Sequence, residues 1–203
     1  MQQINAISKT DPNDKDNWAT SWPCFNRVQD VLGIKFYLDA CATPDTAKCD
    51  LFLTKLNNAL ETDWFKVICD RVFFDPTFKI NQVAVWCNPP FGLKTEFLEK
   101  VVKESKKGLT ICVLLPMDMT TTWWTTYVEA HADTIAIPDG RYNFMKPDGK
   151  TLTSGVSFSS CFALFTPWGR GNPRTLRFER KLKEYTKAWK EFECQQFKES
   201  VHA

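Results

Sequence analysis

The sequence predicts an α/β domain whose sheet is mostly parallel and flanked by helices. Three observations carry this expectation. Val83 to Cys87 and Leu109 to Leu115 are apolar without alternation, as strands covered on both faces are. Between them, residues 94–107 set Phe97, Leu98, Val101 and Val102 on one helical stripe, with Lys and Glu elsewhere. The two sharpest motifs, Asp39-Ala40-Cys41-Ala42 and Asn88-Pro89-Pro90-Phe91, each close a strand, at the edge where parallel sheets hold ligands.

Taken in order, residues 1–17 are a polar lead-in, and residues 17–23 a turn-like entry. Pro23 suits a first helical turn, and Phe25, Val28, Val31 and Leu32 follow at helical spacing until Gly33 stops the helix. Ile34 to Leu38 reads as a strand, and Thr43 to Leu60 as mostly loop. The strand at 83–87 ends at two prolines, which cannot donate to a ladder. The helix over 94–107 closes at Gly108, and the strand over 109–115 ends at Pro116. A helix is expected over 123–130, a strand over 134–137 followed by Pro-Asp-Gly-Arg, and a further strand over 156–165. Residues 174–203 read as an amphipathic helix with Leu182, Tyr185, Trp189 and Phe192 on one face. The organisation is thus a lead over 1–17, one domain over 18–173, and a C-terminal helix over 174–203, packed on or appended to it.

The 203 residues suit one domain, and 26 Lys and Arg against 24 Asp and Glu give a net charge of +2. That balance excludes a protein coated in basic residues, but not a local basic face. Residues 174–203 carry eight Arg and Lys against five Glu, which leaves the remainder slightly acidic. Aromatic residues are 14% of the chain, including eight Trp. Most belong in a core, and a few are candidates to stack on a flat ligand. Eight cysteines occur without a Cys-x-x-Cys pair and with only two His, so no zinc site is expected, nor any other metal. With a polar N-terminus and no signal peptide, the cysteines read as reduced and buried, in the cytoplasm. No membrane span is expected, because the longest uncharged stretch, 151–169, is rich in Ser and Thr.

Asn88-Pro89-Pro90-Phe91 carries the chemistry. The Asn88 side chain offers a carbonyl acceptor, and Pro89 adds a backbone carbonyl on a stiff chain. Two converging acceptors fit the two N–H donors of an exocyclic amino group, and Phe91 offers a face for the base, worth about 1–3 kcal/mol. The lone pair of such a nitrogen is delocalised into the ring until the group pyramidalises. Acceptors on its hydrogens gain strength as positive charge grows on nitrogen, so they favour the transition state over the ground state. The structural alternative is a strand-ending turn that holds Phe91 in the core.

In order along the chain stand Trp18-Ala19-Thr20, Leu38-Asp39-Ala40-Cys41-Ala42, Thr46-Ala47-Lys48-Cys49, Asp63-Trp64, Asn88 to Phe91, Leu114-Leu115-Pro116 and Gly140-Arg141-Tyr142-Asn143-Phe144. This ordered set resembles the phage-type DNA N-6-adenine methyltransferase family, whose members are Rossmann-like class I methyltransferases using S-adenosylmethionine. The resemblance implies that Trp18, Thr20, Asp39, Ala40, Cys41 and Asp63 line the cofactor pocket. It implies that Asn88, Pro89, Pro90 and Phe91 hold the target amino group and base, and that Arg141 is a phosphate contact or a site-organising residue. Trp123 is a further candidate contact to nucleic acid. It also implies double-stranded DNA as partner, a target base flipped from the stack, a phage or prophage gene acting in the bacterial host cytoplasm, and protection from restriction. Two positions depart from the family: Ser21 stands where Pro is frequent, and Phe91 replaces Tyr.

Blander roles exist for single residues. Trp18 is also a packing residue, Asp39 a helix cap or loop residue, Arg141 a surface or salt-bridge residue and Cys41 a small core residue. Thr120-Thr121-Thr122 with Trp123-Trp124 reads equally as cap and core or as a DNA-touching loop. Two other functions share these motifs: an RNA or protein-amide N-methyltransferase, and a non-catalytic nucleic-acid-binding module of the same fold.

Overall fold

The computed structural model of the chain describes residues 18–73, 83–153, 156 and 158–181. The expected lead over 1–17 and the helical face over 182–203 lie outside the described residues. The elements are α1 (Trp22–Leu32), β1 (Lys35–Asp39), β2 (Leu51–Phe52), α2 (Trp64–Phe73), β3 (Val83–Cys87) and a 3-10 turn (Phe91–Leu93). There follow α3 (Lys94–Lys106), β4 (Thr110–Pro116), a π-helical stretch (Trp124–Glu129), β5 (Thr134–Pro138), β6 (Ser160–Phe165) and β7 (Arg174–Phe178).

All seven strands form one sheet in the order β2-β1-β3-β4-β6-β5-β7. Only β6 runs antiparallel to its neighbours, so the expected mostly parallel α/β sheet is present. Each central strand feeds two cores. Val83, Val85, Cys87, Ile111, Val113 and Leu115 pack on one face with α2 and α3. Ala84, Trp86, Cys112 and Leu114 pack on the other with Phe25 and Val28 of α1. That two-sided burial is why these strands read as unbroken apolar runs.

The chain leaves β1 for β2 on one side and comes back to β3 on the other. The strand order therefore reverses at β1, and the crevice beyond the ends of β1 and β3 is the topological switch point. Asp39 pairs with Trp86 in register, which places Asp39 and Asn88 on neighbouring strand ends.

α1 ends as expected, with Gly33 at φ 64° donating to Asp30. Two expectations need correction. The strand expected over 156–165 starts at Ser160. Arg174–Phe178, expected as the start of a helix, is an edge strand that extends the sheet beyond residue 173; only Phe178 is buried, and it seats against Phe162. The stretch after Asp63, for which no element was expected, contains α2, which is joined to α3 by the fully buried Glu104. That carboxylate accepts from the Phe65 N–H and pairs with Lys100 at 2.8 Å and Lys107 at 2.9 Å.

Candidate active site

The crevice at the switch point is a cleft of about 570 Å³, within the range of small-molecule sites. Its lining draws on both faces of the sheet. Ala59, Leu60 and Phe97 belong with the α2–α3 core, and Trp18 and Trp86 with the α1 core.

Asp39 organises the floor. Its backbone still obeys the ladder, since Ala40 donates to Trp86 and Leu53 donates to Asp39. Its carboxylate then accepts from the Cys41 N–H at 3.2 Å and the Lys48 N–H at 3.0 Å, which shapes the loop over 40–48 around one acid. Asp39 is buried, and burial pushes its carboxyl up to about 6, although the two N–H donors and the Lys48 charge pull it down. Lys48 is buried as well. Its ammonium donates to the Thr46 carbonyl at 2.5 Å and stands 4.8 Å from the centre of the Trp22 ring. Burial lowers its pKa, against the pull of Asp39. Cys41 lines the cleft 3.7 Å from Cys87, and burial holds it as a thiol well above its ordinary pKa.

Asn88 and Pro90 line the same cleft, while Pro89 is buried behind them. Asn88 Nδ2 donates to the Trp18 carbonyl at 3.0 Å. Trp18 is held by Ala19, which exchanges two backbone hydrogen bonds with Met145, and by its ring stacked 5.8 Å from Phe144. Phe144 touches Phe158, and Phe158 meets Phe91 edge-on at 5.1 Å. A continuous aromatic belt thus runs from Trp18 to Phe91. Phe91 itself is half-buried and outside the cleft lining. Between Phe144 and Thr153 the chain doubles back; Pro147 lines the cleft, and Gly149, at φ 65°, lies against the Asp45 carbonyl.

The structure therefore brings Trp18, Thr20, Asp39, Cys41, Asn88 and Pro90 together around one cavity. Ala40 is fully buried and contributes through its backbone. Asp63 stands apart: its carboxylate accepts from the Lys66 N–H at the start of α2 and pairs with Lys107 at 2.9 Å. Arg141 donates to the Val156 carbonyl, and Trp123 carries the Lys94 ammonium 4.7 Å from its ring centre; neither lines the cleft. Lys48 and Lys55 are lining charges to which sequence reasoning gave no role, although Lys48 lies in one of the quoted motifs. Among the described residues, no three or more His, Cys, Asp or Glu side chains are placed to hold a metal ion, and no helix is long and apolar enough to cross a membrane.

Residues 7–187 match the family model described as DNA N-6-adenine-methyltransferase (Dam). A DNA N-6-adenine-methyltransferase of Haemophilus phage HP1 is 28% identical over 161 residues, covering 79% of this chain and 84% of that one. One of Escherichia phage T1 is 27% identical over 123 residues, 61% of this chain and 45% of that one.

Proposed function

The chain belongs to the DNA N-6-adenine-methyltransferase family, and from that premise we propose how its cleft performs the reaction. It is a DNA adenine-N6 methyltransferase, which transfers a methyl group to the exocyclic nitrogen of adenine. We assign S-adenosylmethionine as the donor; bound, it supplies a methyl group on a positively charged sulfur. The residues of the cleft fit such a group, because a polar floor at Asp39, Lys48 and Thr20 lies in one cavity with the apolar wall of Ala59, Leu60 and Phe97.

The observation that carries the reading is the bond from Asn88 Nδ2 to the Trp18 carbonyl. It commits the amide nitrogen and leaves the amide oxygen as the end that accepts. In this reading Asn88 and the Pro89 carbonyl accept the two amino hydrogens of the adenine, and they strengthen as the nitrogen becomes positive. Phe91 stacks on a base flipped out of double-stranded DNA, with Phe158 bracing its edge. Arg141 and Trp123 act as contacts to the DNA. The phage origin of both relatives supports a phage or prophage gene acting in the host cytoplasm, in protection of DNA from restriction.

The test is mass spectrometry of nucleosides from DNA of cells expressing the protein. N6-methyladenine above background is expected with the wild type and strongly reduced with Asn88→Ala. Full methylation by that variant would remove Asn88 from the reaction.

A further inference from the structure

Gly140 precedes Arg141 in one of the quoted motifs, yet it is not among the glycines of positive φ, so its backbone conformation does not call for glycine. What fills the place of a side chain is Arg180. A Cβ on Gly140 would stand 2.6 Å from Arg180 Nη2 and 2.8 Å from its Cζ, so the guanidinium lies across bare main chain. Its donors fasten the turn on either side of that glycine. Arg180 Nε donates to Asp139 Oδ1 at 2.9 Å, the Arg180 backbone N–H donates to the same oxygen at 3.1 Å, and Nη1 donates to the Arg141 carbonyl. The guanidinium also stands 5.8 Å from the centre of the Tyr142 ring. Arg180 is anchored in turn: Arg27 Nε donates to the Glu179 carbonyl at 2.8 Å, and the Asp139 N–H donates to the Phe178 carbonyl at 2.9 Å. Arg141 is exposed and gives one N–H to the Val156 carbonyl at 3.2 Å, out of the five a guanidinium carries. The turn follows β5, which runs parallel to β3 and β4, so it lies at the sheet edge that also bears Asp39 and Asn88.

We infer that Arg180 is a positioning residue for DNA binding: it clamps the turn over 139–142 and so sets where Arg141 meets a phosphate of the DNA backbone. The inference rests on the reading of Arg141 as a DNA contact. A planar fork bonds Asp139 and the Arg141 carbonyl at once while lying on Gly140, which a lysine ammonium cannot do. Holding the main chain of Arg141 before DNA arrives reduces the ordering cost of the contact. Gly140 then has a purpose, which is to leave room for the clamp. A side chain there displaces the guanidinium, the mobile end of a long side chain, rather than the turn itself. Phosphate contacts fix register and orientation without reading sequence, so the clamp governs affinity and placement of the DNA, not the choice of site.

The test measures binding of labelled double-stranded DNA to the full chain by fluorescence anisotropy over a range of salt. Arg141→Ala is expected to weaken binding by about 10-fold and to reduce the salt slope by about 1, the mark of one lost phosphate contact. Arg180→Lys, which keeps the charge, and Gly140→Ala, which evicts the clamp, should each weaken binding by about fivefold or more with the same fall in slope. Either change added to Arg141→Ala should cost nothing further, because both act through one contact. In steady-state methylation the losses should fall on the KM for DNA and not on kcat. Calorimetric binding of S-adenosylhomocysteine, the product of the assigned donor, should be unchanged in every variant; a parallel loss there would make the effect one of folding and overturn the assignment. Wild-type DNA binding by Arg180→Lys and Gly140→Ala, beside a loss in Arg141→Ala, would remove the clamp and leave Arg141 as a contact. Losses that multiply with that of Arg141→Ala would also overturn the inference, since Arg180 would then touch DNA on its own account. If Arg141→Ala binds DNA as the wild type does, the reading of Arg141 falls and takes this inference with it.

Discussion

Asn88 and Trp18 are 70 residues apart in sequence, and the side-chain amide of one donates to the backbone carbonyl of the other at 3.0 Å. The bond orients the residue assigned to the target amino group without using its acceptor. Asn88→Ala is therefore expected to lower kcat by about 10²–10³, the scale seen when one transition-state hydrogen bond is removed. Affinity for S-adenosylhomocysteine should change by less than fivefold. Single-turnover methylation and calorimetry measure the two effects separately. Asn88→Asp should be nearly as damaged, because a carboxylate has no N–H for the Trp18 carbonyl.

Phe91 sits outside the cleft lining and edge-on to Phe158. Phe91→Ala is expected to remove a stacking contact worth about 1–3 kcal/mol, which appears as weaker binding of target DNA. Phe91→Tyr keeps the ring and should stay close to wild type. Fluorescence of 2-aminopurine at the target position reports unstacking: a rise with the wild type and the Tyr variant, and little change with the Ala variant.

Asp39 gives a pH signature in stability. Burial lifts its carboxyl from the ordinary 3.8 to about 6, so between these values the native state holds more protons than the unfolded chain. Stability from this group is therefore highest below about pH 4, falls as pH rises to about 6, and levels off above that, a span of roughly 3 kcal/mol at most. Urea unfolding from pH 4 to 7.5 should show this slope in the wild type and lack it in Asp39→Asn. The same slope in both proteins would place the titration elsewhere.

Gly149 has a φ of 65° and lies against the Asp45 carbonyl, so an added Cβ meets strain and backbone at once. Gly149→Ala is expected to cost about 1–3 kcal/mol in thermal unfolding. It should also weaken donor binding, because the neighbouring Pro147 lines the cleft.

Glu104 is fully buried with Lys100, Lys107 and the Phe65 N–H on its carboxylate. Glu104→Ala leaves the Phe65 donor and a largely buried Lys100 without their acceptor, for a loss of about 3–5 kcal/mol in denaturant unfolding. The site lies away from the cleft, so donor affinity per folded molecule should be unchanged.

Much of the architecture was readable in the sequence because burial on both faces leaves a simple trace. Val83 to Cys87 was located to the residue, and α3 to within one. The two strand-end motifs meet in one cleft because β1 and β3 are neighbours in the sheet. β7 was misread because Arg174 and Arg177 lie on an edge strand whose only buried residue is Phe178. α2 carries a short stripe, Trp64 and Ile68 at helical spacing, which could have revealed it. The Lys48 environment was invisible for a different reason. Its meaning depends on Trp22 and Asp39 arriving from α1 and β1, and no local periodicity records such a meeting.

The closures of the cleft join distant parts of the chain: Trp18 to Asn88, Ala19 to Met145, and Gly149 to Asp45. During translation, the first four strands therefore leave the ribosome before the parts that cover the cavity exist. A nascent chain ending near residue 116 has Asp39 and Asn88 on adjacent strands, but no Met145 to hold Ala19 and no Phe158 to brace Phe91. The walls of the proposed donor cleft are thus completed late in synthesis, once Met145 and Phe158 have followed the first four strands.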